Sequence, residues 1–288
     1  MKPIFTLFLV FPLAAYGQKA PEVPRLSGIV NLPEFKKAVF ELKADCCSPR
    51  QLVLTEGESM WGVKLISISP AQRSVQVNVE GAQSSIALTL PARSNSAAAS
   101  TPGIELVDAS IYSVLELYGQ LCGKTLLYWP RLPTAGVSVG GPVASRKDAA
   151  KILQTALGDR QIASVTDGEK FLMVVPADQV SAVKPHASGS EPAPSPKTAA
   201  ELVPPGMIVF HGVMIEQVYF IYAELIGAKL DRGGPPPTPI EPFIFLYTQS
   251  ALSRDEVVYA LDTIFGWQGI KMVRGQDGSV RPVQEKAK

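Results

Sequence analysis

Ile111-Tyr112-Ser113-Val114-Leu115-Glu116-Leu117-Tyr118-Gly119-Gln120-Leu121-Cys122-Gly123 and Ile215-Glu216-Gln217-Val218-Tyr219-Phe220-Ile221-Tyr222-Ala223-Glu224-Leu225-Ile226-Gly227 decide the architecture. In the first, Ile111, Val114, Leu115, Tyr118, Leu121 and Cys122 lie at i, i+3, i+4, i+7, i+10 and i+11, one stripe of an α-helix. Ile215, Val218, Tyr219, Tyr222, Leu225 and Ile226 repeat the stripe 104 positions later. Both stretches end at a glycine, a residue free to adopt the left-handed conformation that closes a helix. Spacing shared over a whole helix signals a duplicated unit.

A second helix is duplicated too. Ala149, Ile152, Leu153, Ala156 and Leu157 are matched by Val257, Ala260, Leu261, Ile264 and Phe265 at an offset of 108. Ser145-Arg146 and Ser253-Arg254 precede them, and Ser253 with Glu256 has capping-box spacing, for which Ser145 with Asp148 is a shorter-armed version. The offset grows because the loop Asp231 to Pro239 is longer than its counterpart near Pro130 to Gly136. Around the helices, apolar runs predict strands at Ile104 to Val107, Thr125 to Tyr128, Val137 to Val139, Ile162 to Val165 and Phe171 to Val175. In the second copy they fall at Met207 to Phe210, Phe243 to Tyr247, Ile270 to Val273 and Val280 to Val283. Each copy reads β-α-β-β-α-β with an extra terminal strand, two helices on one face of a small sheet, leaving the other face and the edges for a neighbour.

Upstream, alternation in Val75-Gln76-Val77-Asn78-Val79 and Val63-Lys64-Leu65-Ile66-Ser67-Ile68, with runs at Gln51 to Thr55 and Ile86 to Leu90, predicts a small all-β module. The fold class is therefore α+β. The expected divisions are a signal peptide at 1–17, the β module at 30–92, a linker at 93–102, the first duplicated module at 103–179, a Pro/Ala/Ser-rich linker at 180–205 and the second module at 206–284. Met1-Lys2, the apolar run Ile4 to Ala15 and Ala15-Tyr16-Gly17 carry the export reading, with cleavage favoured over a retained anchor. No later segment is long and apolar enough to span a bilayer, so a soluble periplasmic protein is expected once the signal is removed.

Composition narrows the chemistry. The chain has 288 residues with 27 Lys+Arg against 26 Asp+Glu, and loss of Lys2 brings the balance to zero. Nucleic-acid binding, which needs a phosphate-neutralising face, is excluded. The element order is also close to that of RNA-binding KH modules, but those carry a G-x-x-G loop between their helices and neither copy has one there. Two histidines, His186 and His211, lack partners at ligand spacing, and no nucleophile motif, P-loop or dinucleotide fingerprint occurs, so no metal, cofactor or catalytic residue is assigned. Cys46 and Cys47 are adjacent, which disfavours a bridge between them and leaves free thiols or one long-range bond to Cys122; Cys122 itself reads as a small core residue. Of 25 prolines, ten or more cluster in the second linker and the enlarged loop. Candidate interaction surfaces are Tyr128-Trp129-Pro130 and Pro235-Pro236-Pro237, while Trp129, Trp267, Phe243, Phe245 and Tyr247 also fit core or strand positions.

The stretch Ile104 to Pro176 resembles the N1-type periplasmic module of secretins, the ring-forming outer-membrane channels of type II secretion and type IV pilus systems. The resemblance is carried by a helix ending in Leu121-Cys122-Gly123-Lys124, then Leu126-Leu127-Tyr128-Trp129-Pro130, Gly136-Val137-Ser138-Val139, the Ser-capped helix from Asp148 to Leu157 and the closing Phe171-Leu172-Met173-Val174-Val175-Pro176. The second copy is similar but more divergent. The β module, around Leu52 to Gly57 and Val63 to Ile68, more faintly resembles the small β domain of the inner-membrane protein that contacts secretins. These resemblances cover about two thirds of the chain and rest on pattern rather than an invariant motif. No channel domain follows the last module, so the resemblance implies a periplasmic accessory or scaffold subunit, not an enzyme and not the pore. Its partners would be a secretin or other secretion or pilus subunits, with homo-oligomerisation through the same edges open. The alternative reading is an exported peptidoglycan- or peptide-binding module.

Overall fold

The computed structural model describes residues 24–42, 50–89, 102–183, 185, 202–234 and 236–285. The expected signal peptide, Cys46, Cys47, His186, Pro235 and most of both expected linkers lie outside these residues. The protein is mixed α+β, with four α-helices and several small sheets among the described residues.

The duplication is visible in the strand pairing. The first unit runs β8 (Gly103–Ala109), α1 (Ile111–Cys122), β9 (Thr125–Tyr128), β10 (Val137–Pro142), α2 (Arg146–Gly158), β11 (Ile162–Asp167) and β12 (Phe171–Pro176). The second repeats the order as β13 (Val209–Met214), α3 (Ile215–Leu225), β14 (Lys229–Leu230), β15 (Phe243–Tyr247), α4 (Arg254–Trp267), β16 (Ile270–Arg274) and β17 (Ser279–Gln284). In both, the first and third strands pair antiparallel. The second strand runs parallel to the last, which pairs antiparallel with the one before it. Even a local irregularity recurs: Asp108 (φ 50°) and Gly212 (φ 69°), one repeat apart, both take left-handed backbone at a bulge just before the first helix.

Local chemistry explains the helix ends. Ser110 and Ser145 accept from the backbone N–H of Ser113 and Asp148, and Ser253 and Glu256 form a complete capping box. Gly123 and Gly227 are left-handed after α1 and α3, as their positions predict. The first turn of α3 differs, for Met214 stands at its N-cap without a side-chain bond.

The expectation that each helix pair covers one face of one sheet is corrected. The strands of each unit divide into a pair and a triple on opposite sides of the helices. The β module opens the chain with β1 (Arg25–Leu32), β2 (Phe35–Leu42) and β3 (Arg50–Leu54), upstream of the residue 30 at which the sequence reading begins it. β4 (Ser59–Met60), β5 (Val63–Ser69), β6 (Ser74–Val79) and β7 (Ala82–Ala87) form a separate meander. The predicted strand at 86–90 is β7, set about four residues earlier.

β1 pairs with β8 of the first unit, making one five-stranded sheet in the order β10-β8-β1-β2-β3. One face of this sheet, with Leu26, Ile29, Phe40 and Leu52, packs on the meander through Val63, Leu65, Val75 and Val77. Its other face, with Val30, Leu32, Val39, Ile104 and Leu106, packs on α1 and α2. β12 is shared in the same way: Leu172 and Val174 enter the core of the first unit, while Phe171, Met173 and Val175 enter that of the second. The three-stranded sheet β11-β12-β9 thus serves both units, with β15 lying alongside β9. The layers run meander, five-stranded sheet, helices, shared sheet, helices and final sheet β14-β17-β16. Each helix pair lies beneath its own strand pair joined by three strands of the preceding module.

The expected linkers taper into this structure. Ala177–Ala182 is a 3₁₀ turn, Val183 is buried in the second core and Val203 bridges to Leu252. Among the described residues no helix is long and apolar enough to cross a membrane.

Candidate functional site

The sequence-predicted surface at Tyr128-Trp129-Pro130 is an internal seam. The β9 hydrogen bonds carry straight into it, Trp129 N–H donating to Val174 O at 2.9 Å. Trp129 then meets Trp267 at the end of α4, ring centroids 5.2 Å apart, and touches both cores. Tyr112 of α1 stacks on Phe245 of β15 at 4.2 Å with planes 16° apart, and Tyr128 flanks them at 6.3 and 6.4 Å. Pro130 is buried. These rings join the two units by apolar burial and offset aromatic contact.

The proline loop is close by. Arg131 Nε donates to Ile240 O at 3.1 Å, and Thr238 N–H and Glu241 N–H donate to Gln284 Oε1 and Gln268 Oε1. Pro236 is exposed and Pro237 half-buried. Arg131, next to the first predicted segment, thus reaches Ile240, three residues past the second, while Thr238 and Glu241 are tied to the second unit.

A group the sequence reading did not single out sits deeper. Glu116, in the middle of α1, is 8% exposed and receives a bond from Gln120 Nε2 at 3.2 Å, while Gln120 Oε1 is buried without a partner. Burial pushes the Glu116 carboxyl up to about 8, with Lys37 pulling down and Glu58 pushing up. The Tyr128 and Tyr247 hydroxyls are raised as well, first by burial and then by the Glu116 charge. Trp61, at a left-handed turn before β5, is 39% exposed and sets its ring edge-on to His211 at 5.6 Å; His211 lies 6.3 Å from Tyr247. Burial lowers the His211 pKa, and its Nε2 has no hydrogen-bond partner. The β module, α1 and the second unit all meet here. Sequence offered one signal, the only ionisable carboxylate inside a mostly apolar helix. Its burial depends on elements distant in sequence, the β module upstream and β15 downstream.

His211 lies within β13, which runs past the strand expected at Met207 to Phe210. Cys122 is half-buried against the first core, its thiol pushed up by burial. Among the described residues, no three His, Cys, Asp or Glu side chains lie close enough to hold a metal ion. The second unit carries an open cleft of about 620 Å³ beside α3 and β14, lined by Phe220, Lys229, Leu230, Asp231, Arg232, Asp277 and Ser279.

Fold and site together define a mixed α+β protein in which a duplicated helix-pair unit continues a β module by sharing sheets. No family model matches the chain, and no curated protein or solved structure matches it significantly.

Proposed function

We propose that the chain is a non-enzymatic, exported scaffold or accessory component of a type II secretion or pilus-like secretin complex, acting in the periplasm through protein–protein contacts. The observation that carries this reading is the sharing of sheets. The helix pair occurs twice with the same strand pairing, and each copy is completed by strands of the module before it. A unit that buries its helices only by borrowing a neighbour's sheet is built for stacking. The sequence resemblance to secretin periplasmic modules supplies the system. The aromatic residues argue the same way, since Tyr128 and Trp129 pack against Phe245 and Trp267 instead of lining an open groove for glycan or peptide.

Crosslinking intact envelopes that carry a tagged chain, then purifying under denaturing conditions, tests the proposal. A secretin or pilus subunit is the expected adduct. Adducts that contain neither would sink it.

A further inference from the structure

The two units differ at the outer edge of their first strand. The pair β13-β15 keeps the register of β8-β10: Leu106 and Phe210 stand opposite Val139 and Leu246, and Ala109 and Val213 stand opposite Val137 and Ile244. In the first unit the other edge of β8 is taken by β1, which pairs antiparallel with Gly103, Ile104, Glu105 and Leu106. Advancing 104 positions carries those residues to Met207, Ile208, Val209 and Phe210. Among the described residues no strand pairs with β13 on that side, and β13-β15 is a two-stranded sheet. Thr248 N–H donates to Ile208 O at 3.1 Å, so alternation turns the N–H and C=O of Val209 away from β15, toward the outer edge.

Charge and proline are the usual guards on an exposed strand. Pro142 stands on β10, Lys229 on β14, and Lys271 and Arg274 on β16, each an outer strand of its sheet. From Met207 to Met214 there is no Lys, Arg, Asp, Glu or Pro. The bulge at Gly212 falls beyond Phe210, as the one at Asp108 falls beyond the residues that β1 covers. Two exposed apolar side chains mark the same surface. Met207, Val209 and His211 share one face of the strand, opposite to Phe210 in the second core. Met207 is 67% exposed at one end of this face, and Trp61, 39% exposed, sets its ring against His211 at the other.

We infer that this edge joins a second copy of the chain, β13 pairing antiparallel with the same strand of the partner subunit about a twofold axis at Val209. The axis sets Val209 opposite its own counterpart, each donating its N–H to the other's C=O, and sets Ile208 opposite the partner subunit's Phe210. Met207 then stands opposite the partner subunit's His211, so the exposed methionine of each copy covers the histidine–tryptophan contact of the other. The occupant is a second copy because the pattern complements itself: the axis exchanges the two exposed ends, and an uncharged edge brings no like charges together. The inference rests on the repeat and the strand edge, not on the secretin reading, which the envelope crosslinking tests separately.

Sedimentation equilibrium of the full chain should show monomer and dimer in exchange, with a dissociation constant below about 100 µM. Hydrogen exchange read residue by residue should find the Val209 amide slowing as concentration rises through that range, with the β10 amides unchanged. Met207→Lys, at an exposed position, should weaken association about tenfold or more without altering the circular dichroism, and Trp61→Ala should weaken it as well. Three outcomes would overturn the inference: a chain still monomeric at about 500 µM, a dimer indifferent to Met207→Lys, or a Val209 amide equally protected at every concentration, as a segment of the same chain would make it.

Discussion

Glu116 holds its proton to about 8 in the fold against 4.5 as a free side chain, because α1 is covered by the β module on one side and by β9 and β15 on the other. With the folded pKa raised, the stability linked to this group is fully present below about 4.5 and lost as pH climbs through 8. Glu116→Gln, neutral throughout, should remove that loss, so the unfolding free energies of variant and parent from urea titration should differ more at pH 8 than at pH 5, by at most about a few kcal/mol. A constant difference across this range would refute the assignment. His211 works in the opposite sense. Burial lowers its pKa below 6.5, so its contribution is present above that value and falls away in acid. Gly28 is the second residue on which the fold turns. A Cβ there would strike the Leu106 side chain and come within 3.0 Å of Glu105 O, across the β1–β8 pairing that joins the β module to the first unit. Gly28→Ala should cost about 1–3 kcal/mol in chemical denaturation. A neutral result would mean that β1 and β8 adjust freely.

At the scale of elements, the caps and the aromatic seam make different demands. Ser253 bonds the N–H of Glu256, and the Glu256 carboxylate returns to Ser253 N–H while also meeting Lys170 Nζ at 2.7 Å. The cap of α4 is thereby tied to the turn between β11 and β12. Ser253→Ala should lower stability by about 1 kcal/mol. Trp129→Ala removes a ring held between the cores and should cost about 3 kcal/mol, with the Trp267 emission shifted to the red as its neighbour is lost. Unchanged emission in a folded variant would contradict the seam. Element type was well marked in the sequence wherever apolar periodicity was strong: all four helices and most strands of the repeat lie where spacing puts them. β1 and β2 were missed because both faces of their sheet are buried, so alternation between apolar and polar positions disappears. β14 was missed because it spans two residues, Lys229 and Leu230, with no pattern to detect.

Across the whole molecule, the modules form a relay rather than separate bodies on tethers. The five-stranded sheet crosses from the β module into the first unit, and the shared sheet carries Leu172 on one face and Met173 on the other. Cooperative unfolding of the described parts is the expected consequence, observed as coincident denaturation by tryptophan fluorescence and far-ultraviolet circular dichroism. Well-separated transitions would show that the shared sheets do not couple the units. The α+β class, the duplication, its helix caps and its terminal glycines were determined by the sequence alone, because each depends on residues within one or two turns of one another. The division of each unit's strands to both sides of its helices, the burial of Glu116 and the internal fate of Tyr128 and Trp129 were decided only in the tertiary structure. Those outcomes depend on which sheet covers which face, and contacts between distant segments leave no period in the chain.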